Sequence, residues 1–198
     1  VKRLAVALAL VLLAACNRGD DPTVDLGATT TSSPSTSSSV AETTSPSTTF
    51  VPTPLPATGP ASATRGYLAA VRVASHDGYD RIVFDFEDAV PGYRVDVTRR
   101  PVTEDGSGNA VEVKGEVLYE VRFENAATAR IEGERVVPVF KGDTRITMRG
   151  KVLEEVVKTG DFEGVVTWVI GARPRPEGVQ VSTLRSPLRL VVDLGSPR

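Results

Sequence analysis

Two six-residue phrases constrain this chain more than any other feature: RIVFDF at residues 81–86 and RLVVDL at residues 189–194. Both read Arg, apolar, Val, apolar, Asp, apolar. Successive side chains of a strand point to opposite faces, so either phrase puts Arg, Val and Asp on one side and three large apolar residues on the other. Ile82, Phe84 and Phe86, with Leu190, Val192 and Leu194, make stripes that belong in a core, while Arg81, Val83 and Asp85, with Arg189, Val191 and Asp193, face outward. Duplication of the phrase suggests two equivalent sheets with one copy on each, and hence two Arg/Asp faces on opposite outer surfaces.

The rest of the globular part repeats the same style. Its segments are short and rich in Val, are separated by Gly, Pro, Asn and Asp, and contain no long amphipathic run of helical period. The pattern predicts an all-β fold, a two-sheet β-sandwich, with strands at 67–74, 81–86, 93–98, 110–113, 117–123, 152–159, 165–171, 179–184 and 188–194. EDGSGN at 104–109 and GDFEG at 160–164 supply turn glycines. The stretch 125–150 is ambiguous, admitting a short helix or 3₁₀ turn near 126–131 and then a hairpin turning at Lys141-Gly142-Asp143.

Residues 1–65 have a different character. Lys2 and Arg3 lead into LAVALALVLLAAC, an apolar run too short to span a membrane and suited to a signal peptide, here read as 1–15. Its end, Leu13-Ala14-Ala15-Cys16, resembles the bacterial lipobox, which implies that Cys16 is lipidated and becomes the mature N-terminus. Each buried acyl methylene contributes about 0.8 kcal/mol, so two chains would hold the protein on the outer side of the membrane. Residues 16–65 are then the lipidated Cys and a Ser/Thr/Pro-rich linker whose composition cannot bury enough surface to fold. Such a linker reaches on the order of 40 Å when flexible. The domain proper is 66–198, enough for one core.

The chemical inventory argues for binding rather than catalysis. From Arg65 to Arg198 there are 20 Lys and Arg against 21 Asp and Glu, a balance that speaks against nucleic acid. Cys16 is the single Cys and His76 the single His, so no disulfide and no Cys/His metal site can be built, and no cofactor is implied. His76 is read as a turn histidine hydrogen-bonded to its neighbours, since no GxSxG elbow accompanies it. The carboxylate pairs Asp77/Asp80, Glu154/Glu155 and Asp161/Glu163 are read as solvated faces and turns, not as a glycosidase pair. Among the aromatics beside turns, Trp168 is read as core and Phe162 as the candidate for exposure against a saccharide. Arg99-Arg100 and Arg173/Arg175 can meet anionic polymers, although exposed Arg at strand ends is ordinary.

GYDRIVFDFEDAVPGYRVDV near the start of the domain, GDFEGVVTWVIG later, and SPLRLVVDL at its close together resemble the AMIN domain, and most of all the AMIN-like lipoproteins of actinobacteria. The resemblance implies a β-sandwich whose motif faces point outward and a role in binding peptidoglycan and localising proteins in the envelope. Position by position it carries over to Arg81, Val83 and Asp85 and to Arg189, Val191 and Asp193. The chain departs from the family pattern in being longer and in lacking a following zinc amidase domain, so hydrolysis of the wall is not implied. The expected function is a membrane-anchored, non-catalytic binder of peptidoglycan or another cell-wall glycan. The alternative is a scaffold whose partner is an envelope protein such as a wall hydrolase.

Overall fold

The structure is a computed structural model that describes residues 50–198. The proposed signal segment, Cys16 and the linker up to residue 49 lie outside the described residues. Among those described there is no helix, and every element is a strand.

In chain order these are β1 (Ala57–Gly59), β2 (Gly66–His76), β3 (Tyr79–Glu87), β4 (Gly92–Thr98), β5 (Val102–Thr103), β6 (Ala110–Val111), β7 (Val117–Glu124) and β8 (Ala126–Ala127), followed by β9 (Ala129–Glu132) and β10 (Arg135–Pro138). The last five are β11 (Arg145–Thr147), β12 (Leu153–Phe162), β13 (Val165–Ala172), β14 (Val179–Arg185) and β15 (Leu188–Gly195). One sheet, here sheet I, has the order β1-β4-β7-β13-β12-β11; the other, sheet II, has the order β14-β15-β3-β2-β8; β5/β6 and β9/β10 form separate ribbons. The expected all-β sandwich is therefore present, with all nine expected strands at or near their expected positions.

The core lies between the sheets. From sheet II it takes Leu68, Ile82, Phe84, Leu190, Val192 and Leu194; from sheet I it takes Val121, Phe123, Val156, Trp168 and Ile170. Phe84 is the hinge of the aromatic packing, edge-on to Phe123 at 5.2 Å and to Trp168 at 6.2 Å. Trp168 is fully buried, as its setting in VVTWVIG suggested. That run has a second cause. Val157, Leu118 and Val169 point away from the main core and are buried with Val102 and Val113 under the 99–116 excursion, which carries the β5/β6 ribbon. The middle of sheet I is thus apolar on both faces, which is why 165–172 shows no polar alternation.

Four expectations are corrected. The linker does not run to residue 65: β1 pairs with β4, Ala57 is buried, and Thr53 donates to the Val179 carbonyl at 2.7 Å. Phe50 and Pro52 pack where Gly178 and Gly195 have no Cβ, so 50–59 is a strap on the domain. The stretch 126–131 is not helical but holds β8 and the start of β9, and the hairpin turns at Gly133, whose φ of 62° suits a residue without a Cβ, not at 141–143. Asp80 and Glu155 are buried at 0% and 1% exposure instead of solvated. Finally, the two motif strands do not lie on separate sheets, because β3 and β15 are neighbours in sheet II.

Asp80 explains how the two sheets are joined at one end. It shares the inward parity of Ile82 and Phe84, and its carboxylate accepts hydrogen bonds from the backbone N–H groups of Val152 at 2.7 Å and Leu153 at 2.8 Å and from Ser75 Oγ at 2.6 Å. Burial alone would raise its pKa, but these donors outweigh it and hold the carboxyl below its ordinary value. A charge is kept inside the protein because a sheet-I turn supplies its solvation.

Candidate functional site

The two copies of the motif run antiparallel side by side, with Arg81 opposite Asp193, Val83 opposite Val191 and Asp85 opposite Arg189. An Arg-x-Val-x-Asp strand beside its own antiparallel copy brings each Arg to the other's Asp. This gives the face a local two-fold axis through the Val83/Val191 pair. Ion pairing is therefore between strands, each Arg with the Asp of the other copy.

The bonds are well formed. Arg81 donates Nε and Nη2 to the two carboxylate oxygens of Asp193 at 2.7 and 2.8 Å. Arg189 donates Nε to Asp85 at 2.8 Å. Arg72, on β2, adds a bidentate pair to the same Asp85 at 2.7 and 2.9 Å. Fork-to-carboxylate geometry of this kind is the strong form of the charge-assisted bond. For Asp85, burial pushes the pKa up, and the hydrogen bonds and charges of Arg72 and Arg189 bring it below the ordinary carboxylate range. The Arg81 guanidinium is held further into its charged form by Asp193.

The result is a polar cluster of three Arg and two Asp. Arg72, which no sequence motif singled out, is the third cation; its register opposite Val83 is the only cue, and that requires knowing the topology. Val191 and Asp193 are buried at 4% and 5% exposure, so they brace the face and do not present themselves to a ligand. An open groove along the face is lined by Arg72, Ala74, His76, Arg81, Val83 and Arg189.

At the end of the groove His76 stacks on Tyr79 with ring centroids 4.8 Å apart, and the Arg81 guanidinium carbon lies 5.1 Å from the Tyr79 ring. His76 thus serves as one layer of an aromatic–cation stack, not as a hydrogen-bonded turn residue. Phe162 is exposed as expected, but it sits at the β12–β13 tip on sheet I, where the Gly164 carbonyl accepts from Ala126 N near the start of β2. Arg81 pairs near the end of β2, so the structure does not bring Phe162 to the Arg/Asp face.

No curated protein and no solved structure matches the chain. The family model described as AMIN-like domain matches residues 66–196, from the first residue of β2 to the residue after β15, leaving the 50–59 strap outside it. With both motif strands and the whole of each sheet apart from β1 inside that match, the chain belongs to the AMIN-like domain family.

Proposed function

We propose that this protein is a lipoprotein anchored through Cys16 to the outer side of the cell membrane, whose AMIN-like domain binds peptidoglycan or a related wall glycan without catalysis. Family membership supports a peptidoglycan-associated binding or localisation module of the cell envelope. The observation that carries the site assignment is the state of the guanidinium groups. Arg189 spends only Nε on Asp85, and Arg81 spends Nε and Nη2 on Asp193.

Terminal N–H groups remain to donate outward from a face that the two Asp hold fixed. Carbonyl and carboxylate groups of stem peptides, and sugar hydroxyls, are the acceptors that such donors suit. The His76/Tyr79 stack offers a saccharide ring an apolar edge beside them. Co-sedimentation with purified sacculi tests the binding. Cys16→Ser tests the anchor, and should move the protein out of the membrane fraction.

A second reading, a scaffold for an envelope protein, is favoured by one separate feature. Ile131 and Val136 are cross-strand partners on the β9/β10 ribbon and are 78% and 71% exposed. Paired apolar side chains held out on a ribbon suit a protein contact. Crosslinking in cells from this ribbon should give a discrete protein adduct if it docks a partner, and none if the domain only binds wall.

A further inference from the structure

A second cleft lies on sheet I, at the turn that Asp80 holds. Its wall carries Lys114, Arg149 and Arg173, together with Thr147, Gly150 and Glu154. Three cations thus face one carboxylate.

The carboxylate is placed by a fault in the ladder. In the pairing of β12 with β13, Leu153 is opposite Ala172 and Glu155 is opposite Gly171, so Glu154 is the extra residue of a β-bulge. Bulges turn a side chain out of the regular alternation and recur beside binding sites. Glu154 Oε2 is buried yet has no hydrogen-bond partner among the described residues. The nearest cationic group, Arg173 Nε, is 3.7 Å away, too far for a hydrogen bond. An acceptor left in this condition is costly unless a donor reaches it.

The cleft is also pre-set. Gly150 N donates to the Leu153 carbonyl at 3.2 Å, Met148 N donates to the Glu154 carbonyl at 3.0 Å, and Asp80 holds the next two amides. A Cβ on Gly150 would collide with the Asp80 carboxylate, so the buried acid and the turn fit only with glycine there.

We propose that this cleft is a second binding site, specific for the zwitterionic end of an amino acid, whose carboxylate is held among Lys114, Arg149 and Arg173 while its ammonium group donates to the Glu154 carboxylate, whose side chain is 32% exposed. A simple anion would satisfy the cations and leave Glu154 without a hydrogen-bond donor and repelled. A simple amine would do the reverse. Only a ligand carrying both charges a few atoms apart answers every group in the cleft. A diaminopimelate residue held in a peptide through one of its centres presents such a group at the other; its link to stem peptides rests on the proposed function, whereas the site itself does not.

The test uses the full chain, labelled with ¹⁵N, and three probes of one carbon skeleton or its core: meso-diaminopimelate, which is zwitterionic at each end; pimelate, without the ammonium groups; and 1,5-diaminopentane, without the carboxylates. Diaminopimelate should shift the amides of 147–154 and bind at least about tenfold more tightly than either relative. Glu154→Gln, which keeps the side-chain shape, and Arg149→Ala, at an exposed position, should each lose about tenfold in affinity while the thermal transition stays in place. In Arg81→Ala the diaminopimelate-induced shifts of the 147–154 amides should persist, which separates this site from the sheet II face. Equal binding of pimelate and diaminopimelate, unchanged affinity in Glu154→Gln, or shifts confined to sheet II would overturn the proposal.

Discussion

Arg81 and Asp193, 112 residues apart in the chain, stand directly opposite each other on β3 and β15 and share two hydrogen bonds of 2.7 and 2.8 Å. The pair joins the first long hairpin of the domain to its last strand. The same relationship, turned about the local two-fold axis, joins Asp85 to Arg189. The groups proposed to meet a ligand are thus also those that register the closing strand.

Removing Arg81 leaves Asp193, whose side chain is 7% exposed, without its bidentate partner. Arg81→Ala should cost about 2 kcal/mol, near the range for hydrogen bonds to charged groups. Asp193→Asn should cost less, because an amide still accepts from one nitrogen. In urea denaturation the double variant should be less destabilised than the sum of the singles, giving a coupling of about 1 kcal/mol or more. Strict additivity would mean that the pair is decorative.

The buried carboxylate of Asp80 has no such exposure to fall back on. Asp80→Ala strands the N–H groups of Val152 and Leu153 and should destabilise by about 3 kcal/mol. The loss should loosen the 150–153 turn before anything else, visible as faster amide exchange at Val152 and Leu153 than in the core strands. Uniform exchange behaviour would contradict its role as a clasp between the sheets.

The pH dependence follows from two acids of β3, Asp80 and Asp85. Asp80 and Asp85 both have folded-state pKa values below those of the unfolded chain, which lie near 3.9. Their contribution is therefore complete above about pH 4 and is lost as pH falls through the folded values. The thermal midpoint should hold steady from about pH 5 to 8 with respect to these groups and fall steeply below about pH 4. In Asp80→Asn the acid slope should be shallower; an unchanged slope would remove Asp80 from the account.

Gly171 reports on the layer that covers sheet I. A Cβ there would collide with the Lys114 carbonyl, which is backbone and cannot swing away. Gly171→Ala should push the 99–116 excursion off the sheet and cost about 3 kcal/mol, the upper part of the range for overpacking. Proteolysis at the 104–109 turn is the direct readout, and resistance equal to the wild type would contradict the packing described.

Much of this was legible in the sequence. Alternation placed Ile82, Phe84, Leu190 and Val192 in the core and Arg81, Asp85 and Arg189 outside it. Alternation fixes the face of a side chain but not the neighbour of its strand, so the step from a repeated phrase to two sheets failed where only topology could decide. Asp80 was within reach: it has the parity of Ile82, and a carboxylate in phase with a core stripe is a sign of a buried, donor-rich turn. Glu154 was not, because a bulge shifts parity without leaving a mark in composition. The three residues of β1 were hidden by the prolines around them, which read as linker but are tolerated at a sheet edge.

The sheet II face is the proposed contact surface for the wall, and sedimentation of the full chain with purified sacculi measures that directly. Wild-type protein should pellet with sacculi, while an Arg81→Ala, Arg189→Ala double variant with an intact cooperative unfolding transition should stay largely in the supernatant. Equal recovery of the two proteins in the pellet would remove this face from wall binding.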